Sequence, residues 1–267
     1  MTYSIVARDA ASGELGVAVQ SQAFNAGAAV AWARPGVGAV ATQSFTDRRY
    51  GWRGLELLAV GQSVADALGQ LRAADDNAEV RQVGMIDAKG NAAQFTGANC
   101  IPSAGHVCGT DWAAQGNMLA SDRAWHEMGA AFEGTEDTLA QRLLAALDAA
   151  EATGGDWRGR GGAGIVVVPA TGEPWERVID LRVEEGDGSL SELRRLVDRA
   201  EAYRAANRAE RGRAEIGRAG GLPDTYVLWL AYLDANADGD TAEAGRLLGE
   251  LERFEPRWRD LARAFSI

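Results

Sequence analysis

The sequence predicts an α+β fold in which helices cover antiparallel sheets. Its first three predicted strands, 2–8, 16–21 and 36–44, carry apolar side chains on both alternating faces, which is typical of strands buried on both sides. Later strands and helices come in groups rather than in strict alternation. This grouping favours layered antiparallel sheets over a chain of parallel β-α-β units.

Polar residues stand at the ends of these first strands, where they can converge on one edge of a sheet. A turn at 9–13 joins the first two strands, and the segment 22–35 joins the second to the third. We expect a site where the strands end. The residues concerned are Thr2, Gln20, Ser21, Thr42, Gln43 and Ser44.

The middle of the chain predicts alternating groups of helices and strands. The polar and aromatic loop 45–52 is expected to form one wall of a cleft, followed by a helix over 52–60 and a second helix capped by Ser63. The remaining predictions are a hairpin of 81–87 with 92–96, a strand at 113–117, helices over 119–132 and from an N-cap at Thr135 to Gly154, and strands at 165–168 and 178–183.

The composition changes at Ser189, which forms a capping box with Glu192. We predict a main domain over 1–188, a helical linker over 189–221 and a small helical domain over 222–267. Such a short unit is expected to expose apolar side chains and therefore to support a homo-oligomer, at least a dimer. The side chains in question are Tyr226, Trp229, Leu230, Phe254 and Trp258.

Charge and composition exclude several classes of partner. The net charge of −11 argues against nucleic acid and against an anionic membrane surface. The sequence shows no secretory signal and no membrane-spanning stretch, and its two cysteines suit a reducing compartment, so we expect a cytoplasmic protein. The partner predicted for the site is a small-molecule substrate.

Three motifs resemble zinc, phosphate or calcium sites, but we prefer a structural explanation for each. We therefore predict no metal and no cofactor. Cys100, His106 and Cys108 do not match a standard zinc spacing and fit loop packing. The segment 159–164 resembles a phosphate loop in composition only and fits close strand packing. The segment 234–240 starts like a calcium loop but has Gly at position twelve, so a helix–turn–helix corner capped by Asp240 is favoured.

Thr2 has a chemical possibility that other strand residues lack. If Met1 is removed, Thr2 carries a hydroxyl and a free α-amine, whose pKa near ~7.7–8.0 lets the amine act as the base for its own hydroxyl. The alternative is that Thr2 is merely the first residue of a strand.

Several segments together resemble the bacterial family called domain of unknown function 1028. They are 4–9, 13–19, 36–43, 81–84, 115–119 and 180–183, in the family's order and within residues 1–200. The resemblance implies the N-terminal-nucleophile (Ntn) hydrolase fold, a four-layer αββα sandwich with the first strand central in its sheet. Some members have a C-terminal extension described as peptidoglycan-binding, which 222–267 resembles.

The resemblance also implies roles for particular residues. Thr2 would be the nucleophile, with Gln20 and Ser21 where proteasome-type relatives place an acidic residue. Those relatives use a lysine near the amine, whereas the only lysine here, Lys89, lies in a predicted hairpin turn. Arg34 is closer to the corresponding place, and its charge would lower the pKa of the amine.

The other cleft candidates are Asp47, Arg81 and Asn117, together with Gln82 and Gln115. Backbone N–H groups near Gly116 and Asn117, at the start of the predicted helix, would form an oxyanion hole; alternatively, Asn117 caps that helix.

Three functions remain open from sequence. The first is an amidohydrolase that cleaves a small amide or a cyclic imide through Thr2. The second is an Ntn-fold protein with other chemistry at the same cleft and Met1 retained. The third is a non-catalytic module that binds cell-wall fragments through its C-terminal unit.

Overall fold

The computed structural model describes residues 2–209 and 211–265. Whether Met1 is retained therefore lies outside the described residues. The chain forms two compact units, one ending at Arg194 and the other beginning at Arg195.

Within the described residues, ten strands and a series of helices make up these units. The strands are β1 Thr2–Arg8, β2 Leu15–Ser21, β3 Ala31–Arg34, β4 Gly38–Ser44, β5 Arg81–Asp87, β6 Ala92–Thr96, β7 Gly105–Gly109, β8 Trp112–Asn117, β9 Gly162–Val168 and β10 Ile179–Val183. The helices are α1 Ala26–Val30, α2 Arg48–Ala59, α3 Val64–Ala73, α4 Ala124–Gly134, α5 Leu139–Ala152, α6 Ser189–Arg208, α7 Arg213–Ala219, α8 Asp224–Ala237, α9 Thr241–Phe254 and α10 Trp258–Ala264.

The strands form two antiparallel sheets. The six-stranded sheet has the order β10-β9-β2-β1-β8-β7, and the four-stranded sheet has the order β3-β4-β5-β6. β1 lies inside its sheet between β2 and β8, with Thr2 opposite Ser21 on one side and opposite Asn117 on the other. The prediction that the first strand is central is confirmed.

The two sheets pack face to face through small and β-branched side chains. Val6, Val17 and Val19 of the first sheet are buried against Ala39 and Ala41 of the second. Helices α2 and α3 cover the outer face of the four-stranded sheet, and α4 and α5 cover that of the six-stranded sheet. The α+β class is confirmed, and this order of layers agrees with the predicted four-layer arrangement.

Short elements and shifted helix starts, such as that of α2 at Arg48 within the predicted loop 45–52, account for the differences from the predicted secondary structure. The connection 22–35 contains α1 and β3, and the loop before β8 contains β7, all of four or five residues and too short to give a periodic pattern. The cap at Ser63 is confirmed, since its side chain accepts a hydrogen bond from Asp66 N. Thr135 instead follows the end of α4, and Thr138 caps α5 by accepting from Gln141 N.

The second unit buries two of the five side chains that were expected to be exposed and partly covers Tyr226 and Trp258. Trp229 and Leu230 are 7% and 2% exposed, and Trp229 stacks on Tyr232. Phe254 is 63% exposed. The apolar surface behind the homo-oligomer prediction is thus smaller than expected, and that prediction stays a prediction.

The predicted helix–turn–helix corner and the segment with Cys100, His106 and Cys108 are held by local hydrogen bonds. Asp240 caps α9 by accepting from Glu243 N, which confirms the helix–turn–helix corner. Cys100 donates to Arg81 O, Cys108 donates to Gln94 Oε1, and His106 Nδ1 lies 2.7 Å from Thr96 Oγ1. Across 2–209 and 211–265, no helix is long and apolar enough to span a membrane.

Candidate functional site

Strand β1 begins at Thr2, and one of its faces packs against the four-stranded sheet. Because side chains alternate along a strand, Thr2 and Ser4 face the four-stranded sheet, whereas Tyr3 faces α5 and donates to Glu151 Oε2 at 2.7 Å. Burial and the hydrogen bond to Glu151 both raise the pKa of Tyr3 above its ordinary value. The Tyr3 hydroxyl is therefore a neutral structural donor, and the reactive candidate is on the other face.

A cavity of about 330 Å³ opens at Thr2. Most of its wall is apolar or weakly polar, which suits a small organic molecule. Its lining residues are Thr2, Ser21, Ala23, Phe24, Ala26, Ala29, Val30, Ser44, Phe45, Thr46, Ile101, Met118 and Arg158. The structure thus brings the predicted residues Thr2, Ser21 and Ser44 together in one cavity.

The Thr2 hydroxyl is held by the neighbouring strand. Thr2 Oγ1 donates to Ser21 Oγ at 3.1 Å, and that same oxygen accepts from Ala23 N at 3.1 Å. Thr2 is only 7% exposed. Its hydroxyl is therefore fixed in a mostly desolvated position at the cavity wall.

A buried network of amide side chains holds the backbone carbonyl of Thr2. Gln43 Nε2 donates to Thr2 O at 3.0 Å and to Gln82 Oε1 at 2.7 Å, and Ser4 Oγ donates to Gln43 Oε1 at 2.7 Å. These contacts join β1 of one sheet to β4 and β5 of the other. Gln43 therefore positions Thr2 and does not line the cavity.

Gln82 is the hub of this network. Its Oε1 also accepts from Asn117 Nδ2 at 2.9 Å, and its Nε2 lies within hydrogen-bond distance of Thr96 Oγ1, Gly105 O and Gly116 O. Asn117, which pairs with Thr2 across the β1–β8 ladder, is fully buried. Its Oδ1 accepts no hydrogen bond from the part of the chain that is described.

Two residues of the cavity wall have left-handed backbone conformations. Ser44, at the end of β4, has φ 69°, and Met118, directly after β8, has φ 56°. Residues other than glycine adopt this region at a cost, and such residues cluster at functional sites. Each of these kinks turns the chain away from its sheet next to Thr2.

Arg158 supplies the charge of the cavity. It is the only charged residue among the described residues that line it. Asp156 holds the guanidinium through contacts of 3.4 Å to Nε and 3.2 Å to Nη2, and Asp156 Oδ2 also accepts from Gln22 N at 2.9 Å. The arginine is therefore anchored to the segment that follows β2.

Two predicted residues lie on the wrong faces of their strands to reach the cavity. Gln20 pairs with Tyr3 and shares the helix-covered face, where it is fully buried. Thr42 faces α2, and its hydroxyl donates to Asp47 O at 3.1 Å. The sequence places both at strand ends, but strand alternation turns both away from Thr2.

Arg34 lies at the other end of its sheet. It pairs with Gly38 at the start of β4, whereas Ser44 at the cavity is the last residue of that strand. Six residues of extended chain separate the two positions, which is about 20 Å. The structure therefore does not bring Arg34 to Thr2, and Arg158 is the cavity's positive charge.

Asp47 and Arg81 form an ion-pair cluster beside the cavity. Asp47 caps α2 through Arg49 N, and hydrogen bonds from Arg49 lower the pKa of its carboxyl group. Arg81 contacts Asp75 at 2.8 Å and donates to Phe45 O at 2.6 Å. The cluster thus fixes the loop that carries Phe45 into the cavity wall.

The helix expected to begin at 119 begins instead at Ala124. Asn117 belongs to β8 and does not cap a helix, and no helix begins beside Gly116. The predicted oxyanion hole loses its helix terminus for this reason.

Sequence reasoning missed Arg158 and Asp156 because the glycine-rich segment was interpreted as strand packing. The usable signal was an acid and two arginines at 156–160 just before a buried strand. That strand starts at Gly162, which pairs with Ser21, so the loop reaches the same edge as Thr2.

The family of unknown function DUF1028 matches residues 2–193. The chain belongs to this family. The match covers the first compact unit almost entirely, and it confirms the family resemblance; the Ntn relationship and the nature of the C-terminal extension stay predictions.

This DUF1028 chain is similar to proteins of known structure. The crystal structure of protein SPO2555 from Silicibacter pomeroyi, a DUF1028 protein, has 29% identity and a TM-score of 0.68, and the match covers 78% of this chain and 90% of that one. Anbu (ancestral beta-subunit) from Yersinia bercovieri matches at 13% identity and a TM-score of 0.36, over 78% and 98% of the two chains. No curated protein matches significantly.

Proposed function

We propose that this chain is a hydrolase that cleaves the C–N bond of a small amide or cyclic imide, with Thr2 as its N-terminal nucleophile after removal of Met1. The observation that carries the proposal is the position of Thr2. It is the first residue of a central strand, and its hydroxyl is fixed at 3.1 Å from Ser21 in the wall of a cavity.

The reaction needs two steps. The neutral α-amine of Thr2 takes the hydroxyl proton, and Oγ1 attacks the carbonyl carbon of the amide. The tetrahedral intermediate collapses, the C–N bond breaks, and the leaving nitrogen takes the proton, which leaves an ester on Thr2. A water molecule, deprotonated by the same amine, then hydrolyses this ester and regenerates the hydroxyl.

The surroundings of Thr2 support this chemistry. Gln43 fixes the Thr2 carbonyl at 3.0 Å, so that the backbone of the nucleophile is held from the opposite sheet. Asn117 pairs with Thr2, and its buried Oδ1 is an acceptor suited to an N–H of the α-amine. A well-positioned nucleophile and base lower the barrier because no entropy is lost in aligning them during the reaction.

Substitution of Thr2 tests the proposal. We expect Thr2→Ala to lose hydrolysis by at least about 10³-fold, since the nucleophile is removed, and Thr2→Ser to keep part of the activity. Release of free amine from a panel of small amides and cyclic imides is the measurement.

Stability must be measured on the same variants. Thr2→Ala is expected to unfold within a few degrees of the wild type, because a hydroxyl at a strand end contributes little to packing. Full activity of a folded Thr2→Ala protein would refute the nucleophile, as would an active wild type that keeps Met1.

A further inference from the structure

The cavity at Thr2 combines one cation with an aromatic rim. Phe24, Phe45 and Ile101 line it and expose 68%, 55% and 38% of their surfaces. Large apolar side chains that stay exposed around a cavity mark a place where a ligand covers them. Apart from Met118, the rest of the wall is made of small or β-branched residues, with Arg158 as its charge.

Arg158 is held for recognition rather than being left to move in solvent. The Asp156 side chain that contacts it is completely buried, and its Oδ1 also accepts from Arg158 N at 2.9 Å. Guanidinium groups carry five N–H donors in a planar fork that matches a carboxylate. An arginine fixed in advance loses less conformational entropy when it binds such a group.

We propose that Arg158 binds a carboxylate of the substrate, and that the substrate is an amide carrying both this carboxylate and an apolar group, as an N-acyl amino acid does. The apolar group lies against Phe24 and Phe45. This assignment rests on the proposed function, because it places the scissile amide at Thr2. Hydrolysis consumes one water molecule and releases a carboxylic acid and an amino acid.

Charge and size favour this class over others. The protein carries a net charge of −11, so an anionic substrate needs a local cation to enter. Arg158 is the local cation of the cavity, and a substrate carboxylate would share its guanidinium with Asp156. The volume of about 330 Å³ is at the lower end of the range for small-molecule sites, so it suits a compact amide better than a peptide.

The kinetic test compares an acid with its neutral counterpart. The wild type should release acetate from N-acetyl-phenylalanine with a kcat/KM at least about ten times that for N-acetyl-phenylalanine amide, because a hydrogen bond to a charged group is worth about 1.5–3 kcal/mol. Arg158→Gln should lower kcat/KM for the acid about 10- to 100-fold and remove the preference for it.

Two further variants serve as controls. Arg34→Gln removes the same charge at the far end of the sheet and should keep the preference for the acid. Arg158→Lys keeps the charge but not the planar fork, and should give an intermediate preference. Equal preference in the wild type and in a folded Arg158→Gln protein would overturn the role of Arg158.

A binding measurement separates failure of the inference from failure of the proposed function. Calorimetry with Thr2→Ala protein should show N-acetyl-phenylalanine binding at least tenfold tighter than its amide. Binding of the acid together with an inert wild type would overturn the hydrolase and keep the recognition. Hydrolysis without preference for the acid would overturn the recognition and keep the hydrolase. The absence of both binding and hydrolysis would overturn the hydrolase and the recognition.

Discussion

Asp75 forms a partly buried ion pair with Arg81, which also contacts the loop at the cavity. Its side chain is 5% exposed, and it accepts from Arg81 Nε at 2.8 Å and from Tyr50 at 3.2 Å. The hydrogen bond from Arg81 lowers the pKa of the Asp75 carboxyl group below its usual value. The ionised form of Asp75 therefore stabilises the folded state, and Arg81 in turn holds Phe45 at the cavity.

We expect Asp75→Asn to lower the free energy of unfolding by about 1–3 kcal/mol at pH 7. Because the folded pKa is depressed, this contribution is fully present above the unfolded pKa of about 3.9 and is lost as the pH falls through the folded value. The difference between wild type and variant should therefore shrink below about pH 4. Urea unfolding at pH 7 and pH 3 measures it, with the exposed Asp260→Asn as control.

Gln82 has a similar structural role among uncharged residues. Its Oε1 accepts from both Gln43 and Asn117, and all three side chains are fully buried. When a buried acceptor is removed, each donor that loses its partner costs about 1–3 kcal/mol. The position of Thr2 depends on this network, because Gln43 also holds the Thr2 carbonyl.

Gln82→Met keeps the shape of the side chain and removes its polar atoms. We expect a loss of about 2–5 kcal/mol in the free energy of unfolding, because two buried donors lose their acceptor. Gln70→Met, on the exposed face of α3, should change stability by less than about 0.5 kcal/mol. Similar effects of the two substitutions in urea titrations would show that the network contributes nothing to stability.

At the scale of the elements, glycines show where helix and sheet approach most closely. A Cβ on Gly129 of α4 would lie 2.0 Å from Cη2 of Trp112, a 5% exposed ring of β8. A Cβ on Gly69 of α3 would meet nothing within 4 Å. Both residues are helical, so alanine favours the helix equally at the two sites.

These two glycines form a matched pair for experiment. Gly69→Ala should stabilise the protein by about 0.5–1 kcal/mol, because alanine loses less backbone entropy in a helix. Gly129→Ala should destabilise it by about 1–3 kcal/mol, because the rigid indole must move. Thermal unfolding measures both changes, and stabilisation by Gly129→Ala would contradict the packing of α4 on β8.

The elements with strong patterns were predictable from sequence, and those without were not. β1, β2 and β4 show their buried character directly, and the caps at Ser63 and Asp240 are visible as local chemistry. α1, β3 and β7 are too short to repeat a period. Their positions depend on pairing with distant strands, which a local pattern does not contain.

At the scale of the whole molecule, the site was predictable only in part. Thr2, Ser21 and Ser44 meet because the ends of β1, β2 and β4 converge where the two packed sheets lie side by side. The positions of Arg34 and Arg158 relative to Thr2 could not be predicted in this way. They depend on the order of strands in the sheets and on the path of the loop before β9.

The central claim is that Thr2 becomes the N-terminal residue and forms the ester with substrate. The most direct test is mass spectrometry of the intact protein and of its N-terminal peptide, before and after treatment with a β-lactone, which acylates such nucleophiles and stays attached. We expect a protein lighter by one methionine residue, with a single acyl group on Thr2 and none on the Thr2→Ala protein. Retention of Met1 in active protein, or an acyl group on any other residue, would contradict it.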